Sequence, residues 1–157
     1  LSSPVVANTT IETTIVSDSV STGLGSLAAM ANTAQVGTTI NLKFGGVADT
    51  DGFGEVVTIR ITLGTNVIST FPLEFDSLNG GNAWVIDATY TVLSVGGTGV
   101  IQYAKNNTES EGSVRYESVT FDSTVALDLT VTAQWSAADP DNDVECKQFV
   151  YQVLYRA

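Results

Sequence analysis

The chain has 157 residues, with 17 acidic side chains against 6 basic ones and no histidine, so its formal net charge is −11. This length fits one domain with a sizeable core, the negative charge argues against nucleic acid as a partner, and no apolar run reaches the ~20 residues of a membrane span. Without histidine and with a single cysteine, histidine-based triads, histidine-bound zinc and disulfide frameworks are excluded.

The composition favours an all-β fold. Valine, isoleucine and threonine are abundant, and these β-branched side chains lose freedom in a helix but pack well on a pleated sheet. Glycines fall between the β-branched runs, where turns are needed. Charged residues make up only 15% of the chain, below the ~25% typical of soluble domains. A surface rich in neutral hydroxyl groups is common on extracellular and virion-exposed β-proteins.

The chain divides into two parts of unequal length. Residues 1–16 are predicted to form an N-terminal arm with a first strand, and residues 17–157 one domain. The first ten residues are rich in Ser, Thr and Asn and have the character of a poorly anchored arm. Ile11 and Ile15 then fall on one face of a strand with a period of two residues.

Alternation of apolar and polar residues predicts eight or nine strands in the chain as a whole. The cleanest is 55–63, where every second residue from 57 onward is Val, Ile or Leu. The other strands are predicted at 36–44, 67–71 (ended by Pro72), 83–95, 100–104, 125–135 and 145–155 and from 114 onward, with an irregular edge at 26–35 and a loop at 45–54. Such strands pack as two antiparallel sheets, a β-sandwich or jelly roll, and a closed up-and-down barrel is the alternative.

A family resemblance follows from four stretches taken in order: SLAAMANTAQVGTTINLKFGG, VVTIRITLGTNVIST, AWVIDATYTVLSVGGTGVIQ and VTFDSTVALDLTVTAQWSAADPDNDVECKQFVYQVL. Together they resemble the jelly-roll modules that recur on tailed-phage virions, in capsid decoration (cement) proteins, head fibres and tail-fibre tips. The last stretch is the most specific, with F-D-S-T, a strand ending in T-A-Q-W and a final strand that contains the cysteine. The resemblance implies knobs of the tumour-necrosis-factor type, in which three jelly rolls pack around a threefold axis. None of the stretches is a catalytic signature.

The acidic loop near the C-terminus is the strongest candidate for a metal site, and it is a weak one. Asp139, Asp141 and Asp143 alternate as the oxygen ligands of a calcium loop do. An EF-hand loop needs glycine at its sixth position and glutamate at its twelfth, where this chain has Val144 and Val150. We therefore expect a solvated hairpin tip, and no metal or other cofactor.

Four aromatic residues are candidates for a subunit interface. Trp84 and Trp135 lie in register with apolar rows, which places them either in the core or in a subunit seam rather than on a sugar-stacking platform. Tyr151 and Tyr155, near the C-terminus, are better candidates for a threefold seam, because aromatic residues are enriched at subunit contacts.

The sequence contains no catalytic motif, and we expect no enzyme. A carboxylate pair such as Glu74 and Asp76 can be drawn for glycoside hydrolysis, but a chain with 17 acidic residues offers many such pairs by chance. Cys146 lies within a predicted strand, where a small buried apolar role is expected rather than a reactive thiol.

These observations predict a structural virion protein: a homotrimeric capsid decoration or cement protein on the outer surface of a phage head, bound to the major capsid protein or other virion proteins. The alternative is the receptor-binding knob of a head or tail fibre, with a cell-surface glycan bound by the polar loops 45–54 and 106–112. A free carbohydrate-binding module and a glycosidase are further alternatives. Neither nucleic acid nor a membrane is an expected partner.

Overall fold

The computed structural model describes residues 3–17, 28–29, 34–50, 54–75, 81–107 and 115–155. Over these ranges the regular elements are β-strands: β1 (Val6–Ala7), β2 (Thr13–Val16), β3 (Ala28–Ala29), β4 (Thr39–Asp49), β5 (Glu55–Leu63), β6 (Asn66–Phe75), β7 (Asn82–Ser94), β8 (Gly99–Asn107), β9 (Arg115–Phe121), β10 (Leu127–Trp135) and β11 (Asp143–Leu154). In this part of the chain no helix is long and apolar enough to cross a bilayer.

The strands form two antiparallel sheets. One has the order β1-β11-β4-β7-β8-β9, and the other the order β2-β10-β5-β6, with β3 also paired to β10. The predicted all-β sandwich is therefore confirmed. The count of eleven exceeds the predicted eight or nine because β1 and β3, of two residues each, are too short to show a period. The specific jelly-roll connectivity is not confirmed, since β7, β8 and β9 follow one another within a single sheet.

The core lies between the sheets and is built from the alternating apolar rows. In β5, the residues Val57, Ile59, Ile61 and Leu63 are fully buried, while the intervening residues are partly exposed. In the other sheet, β7 buries Ile86, Ala88 and Val92 in the same way. The predicted strands 55–63 and 83–95 are confirmed to within one residue at each end, because a strand with one face in the core must keep this alternation.

The described part of the N-terminal arm is anchored, contrary to the prediction. Val6 is 1% exposed and pairs with Val144 of β11. Trp135 donates a hydrogen bond from Nε1 to the Val6 carbonyl at 3.2 Å. Ser3 Oγ accepts from the Cys146 backbone N–H at 3.0 Å and donates to the Cys146 carbonyl at 2.9 Å. The arm therefore belongs to the sandwich, because its apolar and polar groups both find partners there.

The first strand is shorter than predicted. It begins at Thr13, and Ile15 is fully buried, but Ile11 is 73% exposed. The Ile11 N–H donates to Thr9 Oγ1, and Thr13 Oγ1 donates to the Ile11 carbonyl. These local side-chain bonds hold a turn in place of an extended strand.

The loop predicted from Gly45 onward is strand as far as Asp49. The glycines are needed because backbones crowd there: a Cβ on Gly46 would lie 1.8 Å from the Glu145 carbonyl oxygen, and one on Gly45 would lie 2.4 Å from the Trp84 carbonyl oxygen. The partner strand β11 has a register shift between Cys146 and Gln148 at this level. Here glycine marks close approach at a bulge rather than a turn.

Strand β6 also runs past its predicted end, through Pro72 to Phe75. In the part of the chain that the structure describes, it is the last strand of its sheet and pairs with β5 alone. A proline is tolerated on such an edge strand because its missing N–H removes no ladder hydrogen bond when it points away from the neighbour.

Candidate functional site

The three aspartates of the acidic loop do not converge on a common point. Asp139 Oδ1 accepts a hydrogen bond from the Asp141 backbone N–H at 3.0 Å, which closes a local turn, and Asp141 itself is exposed. Asp143 lies on β11 opposite Asp49 of β4. No group of three or more metal-ligating side chains is found among the described residues. The loop is built as a tight hairpin tip.

The position of Asp143 opposite Asp49 affects the pKa of the Asp143 carboxyl group. Partial burial, and then the nearby Asp49 carboxylate, raise the pKa of Asp143 above its ordinary value. Both effects disfavour the ionised carboxylate. At neutral pH this pair therefore works against the folded state.

Trp84 and Trp135 require a correction as interface candidates. Each is 1% exposed within the single chain. Trp84 packs edge-on against Phe44, with ring centroids 5.9 Å apart, and Trp135 packs against Phe75. Their burial between the chain's own sheets leaves no surface for a second copy to contact, so of the two places that the sequence allowed, the core is where they lie.

Tyr151 and Tyr155 lie along an edge of the six-stranded sheet that none of the described strands covers. β1 pairs with β11 only at Val144 and Asp143. From residue 148 to residue 154 the pairing of β11 is with β4 alone, and among the described residues no strand lies on its other side. We refer to residues 148–155 as the open segment. It combines an unpaired backbone edge with two of the candidate residues.

The open segment carries no charged side chain, although the chain has 23 Asp, Glu, Lys and Arg residues in all. Its residues are Gln, Phe, Val, Tyr, Gln, Val, Leu and Tyr. Val150 is 48% exposed, Leu154 45% and Tyr155 56%. Soluble proteins ordinarily protect an edge strand with lysine or other charges, with proline or with a covering loop. An edge strand of this composition is suited to contact with another protein surface.

The inward-facing side chains of the open segment pack against the core but are only partly buried. Phe149, Tyr151 and Val153 are partly buried and pack against the core cluster. The Tyr151 hydroxyl is buried and has no hydrogen-bond partner among the described residues. Burial, and to a lesser degree the neighbouring Tyr155, raise the pKa of Tyr151 to about 12. A buried hydroxyl without a partner is costly to the folded chain.

A second feature is a groove on the opposite edge of the sandwich, where β6, the last strand of one sheet, meets β9, the last strand of the other. Its volume is about 340 Å³, and it is lined by Val67, Ile68, Ser69, Thr70, Pro72, Tyr103, Glu117 and Val119. Ile68 is an extra residue in β6, because Ile61 pairs with Ser69 and Thr62 with Val67. Such a bulge bends a strand and redirects its side chains.

Hydroxyl groups line the floor of this groove. The Tyr103 hydroxyl donates a hydrogen bond to Glu117 Oε2 at 2.5 Å. Ser69, only 3% exposed, shares a hydrogen bond with the Tyr90 hydroxyl. The Tyr90 and Tyr103 rings pack at a tilt of 40°, with centroids 5.6 Å apart, and burial raises the pKa of Tyr90 far above its ordinary value. The Tyr90 hydroxyl therefore stays protonated, and the hydrogen bonds hold these hydroxyls in position.

Sequence reasoning missed this groove. Its walls come from residues 67–72, 103 and 117–119, which only the arrangement of the two sheets brings together. The one local signal is Ser69, a polar residue at a core-facing position between two apolar ones. Periodicity identifies a strand's buried face but not which sheet edges meet.

The cysteine, the carboxylate pair and the two polar loops singled out in the sequence show no sign of a site among the described residues. Cys146 is fully buried, as predicted, and burial raises its pKa to about 11, which makes it a poor nucleophile. Glu74 is exposed on β6, while Asp76 lies outside the described residues. The proposed glycan loops 45–54 and 106–112 are described only in part, as strand at residues 45–49 and 106–107. That the protein is not an enzyme stays a prediction.

Comparisons with known proteins add little. No family model matches the chain, and no curated protein matches it. Among solved structures, it is similar to the CBM2 module of the evolved Dit of Lactobacillus casei BL23 phage J-1, at 12% identity and a TM-score of 0.33. The alignment covers 90% of this chain, which spans 65% of the length of that one. A likeness at this level carries no argument about function, so the fold itself defines the class: a two-sheet antiparallel β-sandwich.

Proposed function

We propose that the protein is a structural virion protein, a homotrimer that decorates the outer surface of a phage capsid and stabilises it. Three observations support this function. The sequence resembles virion jelly-roll modules, the described residues form one sandwich with a continuous core, and one edge of that sandwich is both open and uncharged.

The observation that carries the proposal is the open segment of β11. In a chain of net charge −11, identical copies repel one another wherever their acidic faces approach. The open segment is a continuous stretch without that penalty, and it presents exposed Val150, Leu154 and Tyr155. Apolar and aromatic side chains of this kind form the centre of subunit contacts.

A closed trimer follows if the open segment of each copy packs against a different surface of the next copy. Such a heterologous contact forms a ring when the rotation closes, and three copies make a threefold ring. A trimer then engages the shell with three identical faces. Once one face binds, the others bind at high effective concentration, so weak individual contacts add up to firm attachment.

The charge supports an outward position. A protein that lines packaged DNA benefits from basic side chains, which release counterions from the phosphates. A chain with 17 acidic and 6 basic residues does not have that property. It is compatible with the solvent-facing side of a capsid.

Quantitative mass spectrometry of purified phage particles tests this function. A decoration protein is expected at a copy number near that of the major capsid protein, and particles that lack it are expected to lose their DNA at a lower temperature. A chain present in only a few copies per particle, with no effect on heat stability, would contradict the decoration role.

The second candidate function is a receptor-binding knob of a head or tail fibre. The groove between β6 and β9 favours it, because a partly enclosed polar site on a rigid sandwich is suited to a small ligand. A low copy number, together with loss of adsorption to cells when the chain is removed, would support the knob over the decoration protein.

A further inference from the structure

The groove between β6 and β9 has the features of a ligand site. Its volume of about 340 Å³ falls within the range of about 300–1,000 Å³ that small-molecule sites occupy. It combines a few fixed polar groups with aliphatic walls, as such sites do. We propose that this groove binds a neutral saccharide unit.

The polar half of the groove suits the hydroxyl groups of a sugar. The Glu117 carboxylate and the Tyr103 hydroxyl form a bonded pair at 2.5 Å, and carboxylate oxygens accept strong, charge-assisted hydrogen bonds from sugar hydroxyls. Ser69 and Thr70 add hydroxyls that can both donate and accept. Because Tyr103 is 2% exposed and its ring packs against that of Tyr90, the Tyr103–Glu117 pair is held in position before a ligand arrives, which reduces the entropy cost of binding.

The apolar half suits the C–H faces of a pyranose ring. Val67, which is 46% exposed, and Pro72 line the β6 side. Val119 is partly buried on the β9 side. A sugar presents hydroxyls around its rim and C–H groups on its faces, so a groove with both polar and aliphatic groups on its β6 and β9 sides can contact both.

Other ligand classes fit less well. An anion would face the Glu117 carboxylate and the overall charge of −11, which repel it. A metal ion requires several oxygen ligands, whereas Glu117 is the single carboxylate among the described residues that line the groove. A purely apolar ligand would strip water from Ser69, Thr70 and Glu117 without replacing the hydrogen bonds.

The groove and the open segment lie on opposite edges of the sandwich, since β9 and β11 stand near the two ends of the six-stranded sheet. A ligand in the groove therefore does not compete with contacts made by the open segment. The inference does not depend on the decoration role, and its failure would leave that proposal unchanged.

An NMR titration of the full isotope-labelled chain tests the inference. The probes are the methyl glycosides of glucose, galactose, mannose, rhamnose and N-acetylglucosamine, each added to about 50 mM, which is enough to detect binding with a Kd in the millimolar range. At least one glycoside is expected to shift, saturably, the amide signals of residues 67–72 and 117–119. If no glycoside shifts these signals, or if the shifts map to another face, the inference is overturned.

Two variants locate the binding determinants. Glu117→Gln keeps the side-chain shape but removes the charge, and Tyr103→Phe removes only the hydroxyl. Each is expected to weaken binding of the active glycoside about tenfold or more. The matched control is Glu74→Gln, which removes one exposed carboxylate from β6 outside the groove and is expected to leave the affinity unchanged.

Thermal melts of all three variants separate loss of binding from loss of folding. Wild-type-like melting together with weakened binding supports the inference. Unchanged affinity in both groove variants contradicts it, and so does equal weakening in the Glu74→Gln control.

Discussion

The two halves of strand β11 differ in how much of their free edge is covered. From Asp143 to Cys146 the strand is covered: β1 pairs with it, Ser3 bonds both backbone groups of Cys146, and the side chains of Val144 and Cys146 are fully buried. From residue 148 onward the strand pairs, among the described strands, with β4 alone. Phe149 and Tyr151 are only partly buried there, and the outer valine and leucine are nearly half exposed. A register shift at Lys147 separates the two halves.

The difference shows how one chain can complete part of an edge and leave the rest for a partner. The N-terminal segment closes the first half, with Val6 in the core and Ser3 on the backbone. The same segment leads from β1 into β2 in the other sheet, so the second half of β11 stays open. Because that half has no charged side chains to protect its exposed edge, it is suited to contact with the surface of another chain.

The largest loss of stability is expected from a substitution at Gly46 of β4, which lies opposite Cys146 of β11 next to the register shift between the two halves. Gly46→Ala would place a Cβ 1.8 Å from the Glu145 carbonyl oxygen, so the backbone of β4 or β11 must move. We expect a loss of about 3 kcal/mol or more in the free energy of unfolding, measured by chemical denaturation. Gly97→Ala is the control, because a Cβ there meets nothing within 4 Å. Equal losses in the two variants would contradict the proposed crowding.

A smaller effect is expected where the N-terminal segment covers the first half. Ser3→Ala removes the acceptor of the buried Cys146 N–H, and a buried donor without a partner costs about 1–3 kcal/mol. Hydrogen exchange should speed up at the amide of Cys146 while the open segment is unaffected. Ser118→Ala on the exposed face of β9 is the control and should change neither stability nor exchange. A stability equal to wild type in Ser3→Ala would mean that the arm contributes little to this edge.

The smallest effect concerns the start of the covered half and depends on pH. The pKa of Asp143 is raised by burial and by Asp49, so the folded state holds this proton more tightly than the unfolded state does. The associated stability is present below the ordinary pKa and is lost as the pH rises through the raised value. Asp143→Asn is therefore expected to be more stable than wild type at about pH 7, with the difference disappearing by about pH 3.

Denaturation curves at both pH values measure this difference, and Asp141→Asn, at an exposed position of the same loop, controls for the change in net charge. If Asp143→Asn is less stable than wild type at neutral pH, the carboxylate stabilises the hairpin and the expected sign is wrong.

Local alternation was enough to predict much of the fold, because a strand with one buried face must repeat every second residue. The rows in β5, β7 and β10 therefore revealed both the strands and their core residues. Alternation does not reveal which surface covers an apolar row. Trp135 and Tyr151 both follow such rows, yet one lies between the chain's own sheets and the other on the open edge.

Features that depend on neighbouring strands could not be predicted from local sequence patterns. Gly45 and Gly46 were predicted to begin a loop. The structure needs glycine there because backbone carbonyl groups of residues distant in the sequence lie too close for a Cβ atom. Pro72 looked like a strand end because its edge position follows only from the sheet order. The groove depends on the meeting of two edges, and no local pattern encodes that meeting.

The most direct test of the central claim, that the open segment is a subunit contact, is the mass of the protein in solution at micromolar concentration. Wild type is expected at about 50 kDa, three times the 16.5 kDa of one chain. Val150→Lys, which places a charge at the 48% exposed position of the open segment, is expected to give a folded monomer. Val85→Lys, at a 40% exposed position of the interior strand β7, is expected to stay trimeric. A wild-type mass of one chain, or a trimer that Val150→Lys leaves intact, would contradict the account.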